Sequence, residues 1–205
     1  MTDRSVSEGK RAGILDAARA VFSRLGYAGT AMDDVAEEAG IAKGTLYLYF
    51  KSKQELYLAA LARDMRGMAE RATGAMEGAE SFREKLAAFL RVRLEYCKAH
   101  EDFLRIYLAE YGGMFVKTPL RKELCKLARG NMRTMTRAVE EAVKKGELRA
   151  APAGAVAAAI FDVARGVMER RLLGWKEMQA RDEVGFAVEL LWEGIGGEKR
   201  KKRTH

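Results

Sequence analysis

Apolar residues recur along this chain at spacings of three and four, the signature of helices with one buried face. Val35, Ala36 and Ala39 form one narrow stripe, and Leu46 with Phe50 forms the next. Further on, Phe82, Leu86, Phe89, Arg93, Tyr96 and His100 alternate by four and three, with Arg93 breaking the apolar run. Phe103, Tyr107 and Tyr111 follow, then Met132, Met135 and Val139, then Phe161, Arg165 and Met168. A last stretch carries Phe186, Leu190, Leu191 and Trp192 along one broad side. The punctuation between stripes sets the expected elements. Long helices are predicted over Lys53 to about Ala75, where Gly74 and Gly78 break the pattern, and over Ser81 to about His100. A shorter one is predicted over Glu101–Tyr111, stopped by Gly112–Gly113. Pro119 suits a first helical position and opens a helix to about Lys145, with Gly130 as a weak point. The last two run from Ala153 to about Trp175 and from about Arg181 to Ile195.

The densest pattern lies in Thr30–Leu56, TAMDDVAEEAGIAKGTLYLYFKSKQEL. Thr30 suits an N-cap, since its hydroxyl can accept from a first-turn N–H. Asp33 and Asp34 then fall where the helix dipole favours negative charge. Gly40 ends that helix by reaching the left-handed conformation without a Cβ clash. Ala42 to Tyr49 reads as a second short helix with Leu46 and Phe50 inward. Ser52 and Glu55 have capping-box spacing, so a third helix starts at Lys53. Two short helices around a glycine turn make a helix-turn-helix, whose second helix enters a DNA major groove.

The outer residues of that second helix suit DNA. Ala42 and Gly44 are small enough for close backbone approach. Lys43 reaches a guanine edge or a phosphate, and Thr45 a base or a phosphate. Tyr47 and Tyr49 carry hydroxyls for phosphate oxygens, and Lys53 adds charge beside a helix N-terminus. Spacing alone also fits a compact helical corner with both tyrosines packed as core.

The surrounding residues carry a family resemblance. ILDAARAVFSRLGYAGTAMDDVAEEAGIAKGTLYLYFKSKQEL resembles the DNA-binding domain of the tetracycline-repressor (TetR) family nearly throughout. Matching positions include Ile14–Leu15, Ala17–Ala18, Phe22, Gly26–Tyr27, Thr30, Ala39–Gly40–Ile41, Gly44–Thr45–Leu46–Tyr47, Tyr49–Phe50, Lys53 and Leu56. The resemblance implies an all-α homodimer that represses transcription and leaves its double-stranded, palindromic operator when a small molecule binds. It implies that Thr30, Lys43, Thr45, Tyr47, Tyr49 and Lys53 face DNA. It also implies dimerisation through the last two helices and an effector site in the middle ones. The expected division is a DNA-binding domain over 8–55, with the helix-turn-helix at 31–50, an effector and dimerisation domain over 56–197, and a basic tail over 198–205.

Composition fits this picture. Alanine, leucine, glutamate, lysine and arginine dominate and only 2 residues are proline, as an all-α chain requires. No apolar run approaches a membrane span, and MTDRSVSEGKRAG lacks the apolar core of a secretion signal, so a cytoplasmic protein is expected. The net charge of +8 points to nucleic acid, but its location matters. Met1–Glu55 holds 8 basic and 8 acidic residues, whereas Gly196–His205 carries 5 basic residues against Glu198. Cys97 and Cys125 form no CxxC and are expected to be buried and inert, with a redox switch as the alternative. His100 and His205 form no metal-ligand cluster, so neither a metal nor a cofactor is expected.

The aromatic and methionine stripes supply candidate effector-site residues: Phe89, Arg93, Tyr96, Phe103, Tyr107, Met132, Met135, Phe161 and Arg165. Such a set suits an adaptable, mainly apolar ligand, with Arg93 or Arg165 meeting an acidic group. The alternative is ordinary core, with arginine stems packed and heads in water. The small residues at 155, 157, 158, 159, 164 and 166 fit helix–helix pairing, either between subunits or within one. Catalysis is disfavoured because there is no phosphate loop, GxSxG or metal set. The sequence thus predicts a ligand-responsive DNA-binding repressor, with an activator or a ligand-independent regulator as the alternative.

Overall fold

The computed structural model describes residues 3–106, 119–174 and 183–195. Their secondary structure is helical: α1 (Asp3–Gly29), α2 (Met32–Glu38), α3 (Lys43–Tyr49), α4 (Lys53–Glu77), α5 (Phe82–Ala99), α6 (101–106), α7 (Pro119–Lys144), α8 (Ala153–Leu172) and α9 (Glu183–Ile195). Gly74 and Gly130 interrupt neither α4 nor α7, since one glycine costs only about 1 kcal/mol in a packed helix. α8 stops short of Trp175, with Gly174 at φ +76° just past its cap. Tyr107, Trp175 and the basic tail lie outside the described residues. Among the described residues no helix is long and apolar enough to cross a membrane.

The chain forms two compact units. One comprises Met1–Gly67 with Ala99–Lys126, the other Met68–Lys98 with Leu127–His205. α4 contributes residues to both units, and α6 groups with α1–α3.

In the first unit, Ile14, Leu15, Ala18, Val21 and Phe22 present one stripe of α1 to Val35, Leu46, Phe50, Leu56 and Leu61, all buried. An aromatic cluster joins α1, α4 and α6. Tyr57 meets Phe22 at 5.2 Å, Tyr27 at 5.7 Å and Phe103 at 5.0 Å between ring centroids. The Tyr57 hydroxyl donates to the Phe103 carbonyl at 3.2 Å. Two aromatic faces and a satisfied hydroxyl make this a strong anchor. Phe103, expected in an effector site, is instead fully buried in this cluster.

In the second unit, Phe82, Leu86, Phe89 and Leu90 of α5 pack with Met135 and Val139 of α7, Ala157 and Ile160 of α8, and Ala187 and Val188 of α9. Ser81 and Glu84 form a capping box at the start of α5. Ser81 Oγ accepts from the Glu84 N–H, and the Glu84 carboxylate accepts from the N–H groups of Ser81 and Glu80. The Phe82 N–H donates to Glu147, so a residue beyond α7 caps α5. Cys97 is buried as expected, whereas Cys125 is exposed on α7.

Candidate nucleic-acid interface

α2 and α3 are held by a turn that only glycine suits. Gly40 sits at φ +64°. Its N–H donates to Glu37 O and that of Ile41 to Ala36 O, both at 3.0 Å, which satisfies the free carbonyls of α2. Leu46 and Phe50 then fix α3 from below, at 0% and 1% exposure. The Arg11 guanidinium lies 5.2 Å over the Phe50 ring. With this face buried, the helical period turns residues 43, 44, 47 and 48 outward.

The predicted contact residues divide into two groups. Ala42, Lys43, Gly44 and Tyr47 are exposed, and Thr45 and Tyr49 are half-buried on α3. Among the described residues no atom beyond its chain neighbours and the local helix backbone lies within 4 Å of the point a Cβ on Gly44 would occupy. The fold itself does not require glycine there, so the missing side chain leaves room for something outside. Lys43 Nζ donates to Asp33 at 2.8 Å across the two helices. The hydrogen bond, and then the charge of Asp33, raises the Lys43 pKa above its ordinary value.

Thr30 and Lys53 form the second group, whose side chains engage the end of α1; the N-cap reading of Thr30 is corrected. Thr30 is buried, at 3% exposure, and its hydroxyl donates to the Gly26 carbonyl at 2.7 Å. The N-cap position of α2 belongs to Ala31, whose N–H donates to the Asp34 carboxylate. The cause is Gly26, which at φ +70° breaks the helical course of α1 and leaves a carbonyl needing a donor. Lys53 is likewise turned inward. Its Nζ donates to the carbonyls of Tyr27 at 2.7 Å, Thr30 at 2.8 Å and Ala28 at 3.3 Å, and lies 4.7 Å from the Tyr27 ring centroid. Its three N–H donors serve the end of α1. The Ser52 box is also shifted: Ser52 Oγ accepts from Glu55 N, while the Glu55 carboxylate takes the Lys51 N–H.

Sequence reading missed Leu48, at 76% exposure the most exposed large hydrophobic side chain among the described residues. The signal was present: Leu48 lies two residues from both Leu46 and Phe50, about 200° around the helix from each. It sits beside Gly44 at the centre of the outward face.

The residues expected at an effector site are scattered. Phe89 and Phe161 stack edge-to-face at 5.1 Å, and the Arg93 guanidinium lies 5.2 and 5.5 Å from their centroids. Burial alone pushes Arg93 down to about 10, so it remains charged at neutral pH. Arg93 lines a closed cleft of ≈ 10 Å³ with Leu90, Leu94, Met168, Glu183 and Val184. Met135 is core, Met132 packs against that core, and Tyr96 is buried beneath the Arg71 guanidinium. The Arg165 side chain is 63% exposed and paired with Asp162 and Glu169.

Comparison with known proteins follows the same division. Residues 14–60 match the family described as bacterial regulatory proteins, tetR family. An uncharacterized HTH-type transcriptional regulator of Bacillus subtilis, YhgD, is 33% identical over 138 residues, 66% of this chain and 70% of that protein. The fatty acid metabolism regulator protein of the same species is 24% identical over 136 residues, 66% of this chain and 69% of its own length. The crystal structure of a transcriptional regulator FadR from Bacillus subtilis in complex with stearoyl-CoA shares the fold. Its TM-score is 0.74 at 22% identity, covering 89% of this chain and 98% of that one.

Proposed function

The chain belongs to the tetR family of bacterial regulatory proteins and is a DNA-binding transcriptional regulator; from that premise we propose that it represses transcription as a homodimer and is released by a small, mainly apolar molecule. The observation that carries the DNA-binding half is the outward face of α3. Lys43, Gly44, Tyr47 and Leu48 stand clear of the protein while Leu46 and Phe50 anchor the helix. Lys43 and Tyr47 supply phosphate and base contacts, and Gly44 permits close approach. Thr30 and Lys53 position the interface from within.

Dimerisation is supported by α9, where Phe186 and Leu190 remain 54% and 56% exposed although Ala187 and Val188 already fill the core. Two protomers would place their α3 helices in successive major grooves, about 34–36 Å apart. An apolar effector is supported by the cleft around Arg93 and by the relative whose structure holds stearoyl-CoA. α4 and α7, which each contribute residues to both units, link them covalently.

The test is selection of bound sequences from random duplex DNA, followed by fluorescence anisotropy across a salt series. The expected result is a palindromic site with half-sites one helical turn apart, and affinity that falls steeply with salt. Failure to enrich any sequence, or binding indifferent to salt, would overturn the reading. A promoter fusion to the selected site gives the sign of regulation, with repression expected.

A further inference from the structure

Resting on the reading of a ligand-released regulator, we propose that the effector is an apolar molecule bearing an oxyanion, and that Arg93 binds that oxyanion. Among the described residues Arg93 makes neither a hydrogen bond nor an ion pair, and its Nε is sealed from water without a partner. A guanidinium has five N–H donors in one plane. Phe89 of α5 and Phe161 of α8 hold it through their ring faces, an interaction that uses its charge but none of those donors. A buried charge without hydrogen bonds is costly unless a partner arrives.

Two further charged groups lie close by. Glu183 of α9 lines the same cleft, and its nearest cation is Arg171, at 3.9 Å. That distance is too long for a hydrogen bond. Arg171 Nε and Glu183 Oε2 are both sealed from water without partners. Arg93 and Glu183 are the charged residues of the lining and cancel, so the anion is held by the Arg93 donors and not by a net charge. The rest of the lining includes Leu90, Leu94, Ala164, Val167, Met168 and Val184, so the body behind the anion must be apolar. At ≈ 10 Å³ the cleft is closed, far below the ~300–1,000 Å³ of an occupied small-molecule site. Entry therefore has to part α9 from α5 and α8, with Met168 as the adaptable wall. That movement links ligand chemistry to a change in the second unit.

A carboxylate and a phosphate monoester share the required chemistry, so full-length protein is titrated with dodecanoate, dodecyl phosphate and 1-dodecanol. Calorimetry and displacement from the selected DNA site are the readouts. Wild-type protein is expected to bind at least one of the two anions tenfold or more tighter than the alcohol, and the stronger anion identifies the head group. Arg93→Gln should bind all three alike while holding the DNA site as wild type does. Ligand-free Arg93→Met should melt higher than wild type, because an unpaired buried charge is gone. Equal binding of anions and alcohol by wild type, or no binding of either anion, overturns the inference. So does an Arg93→Met protein that melts lower and keeps the preference for the anion, since Arg93 would then be structural. Loss of all DNA binding in wild type would instead sink the regulator reading and leave the calorimetric preference standing.

Discussion

Replacing Lys53 by methionine separates two roles that its position near the DNA-reading helix confounds. Methionine keeps the apolar stem against Tyr27 and removes the ammonium. In the structure that ammonium donates to three carbonyls, two of them within 2.8 Å, and lies over the Tyr27 ring. Hydrogen bonds from a charged donor contribute about 1.5–3 kcal/mol each when well shielded. Here one partly solvated group serves all three, so screening lowers the total to about 1–2 kcal/mol. For a chain of this size that is a drop in Tm of roughly 2–8 °C. Urea unfolding followed by circular dichroism reads the stability. Salt-dependent anisotropy at a selected DNA site reads the phosphate contacts. Lys53→Met should lower the unfolding midpoint and leave the slope of log affinity against log salt unchanged. A protein of unchanged stability whose slope falls by about 0.9 would mean that Lys53 neutralises a phosphate, and the assignment of Lys53 to the end of α1 would be refuted.

Phe103→Ala should destabilise the unit containing α1–α3 by about 3–5 kcal/mol, because Phe103 is fully buried against Tyr57; hydrogen exchange of α1 and of the first turns of α4 checks it. Leu48→Ala should change stability by no more than about 0.5 kcal/mol yet alter the selected DNA sequence, which repeated selection would show. Glu84 gives a pH dependence. Its carboxylate is held below the ordinary value of 4.5 by the Ser81 and then the Glu80 backbone N–H. Its stabilising effect is therefore present above the ordinary value and lost as pH falls through the lower folded one. Thermal melts of Glu84→Gln should lose part of the wild-type decline below about pH 4.5.

The sequence was most informative where a local rule decides the structure. Gly40, Leu46, Phe50, the Ser81–Glu84 box and the order of the helices all follow from caps, glycine turns and a 3.6-residue period. It was less informative where an orphaned backbone group captures a side chain. Nothing in the spacing of Lys53 says that the carbonyls of residues 27, 28 and 30 lie within its reach, because that depends on how Gly26 breaks α1. Thr30 was misread for the same reason. The effector site suffered from a different ambiguity. Aromatic stripes mark inward faces, but an inward face is core wherever helices meet closely, as at Met135, and lines a cleft only where they do not, as at Arg93. Phe103 shows the third limit: its stripe was legible, but its partner Tyr57 is 46 residues away.

The neutral charge of the first 55 residues has a counterpart in the fold that leads to a last prediction. Cations of this unit are already matched: Lys43 with Asp33, Arg24 with Glu38, and Arg63 with Asp16. The Lys43–Asp33 pair is exposed on both sides, at 60% and 59%, so breaking it costs little. Lys43 is thus held near the groove, charged and in place, by a partner that a phosphate can displace. Asp33 then becomes a free carboxylate close to DNA, and its repulsion opposes binding. Asp33→Asn removes that repulsion and frees Lys43 in advance. One unit charge a few ångströms away in water is worth about 1 kcal/mol, or about fivefold in affinity. Losing an acid from the first turn of α2 costs the fold about 0.3–1 kcal/mol, too little to unfold it. Anisotropy should therefore show Asp33→Asn binding both selected and random DNA more tightly at low salt, with the gain shrinking as salt is raised. Weaker binding by this variant would mean that Asp33 holds Lys43 in its binding conformation, and that the pair persists on DNA.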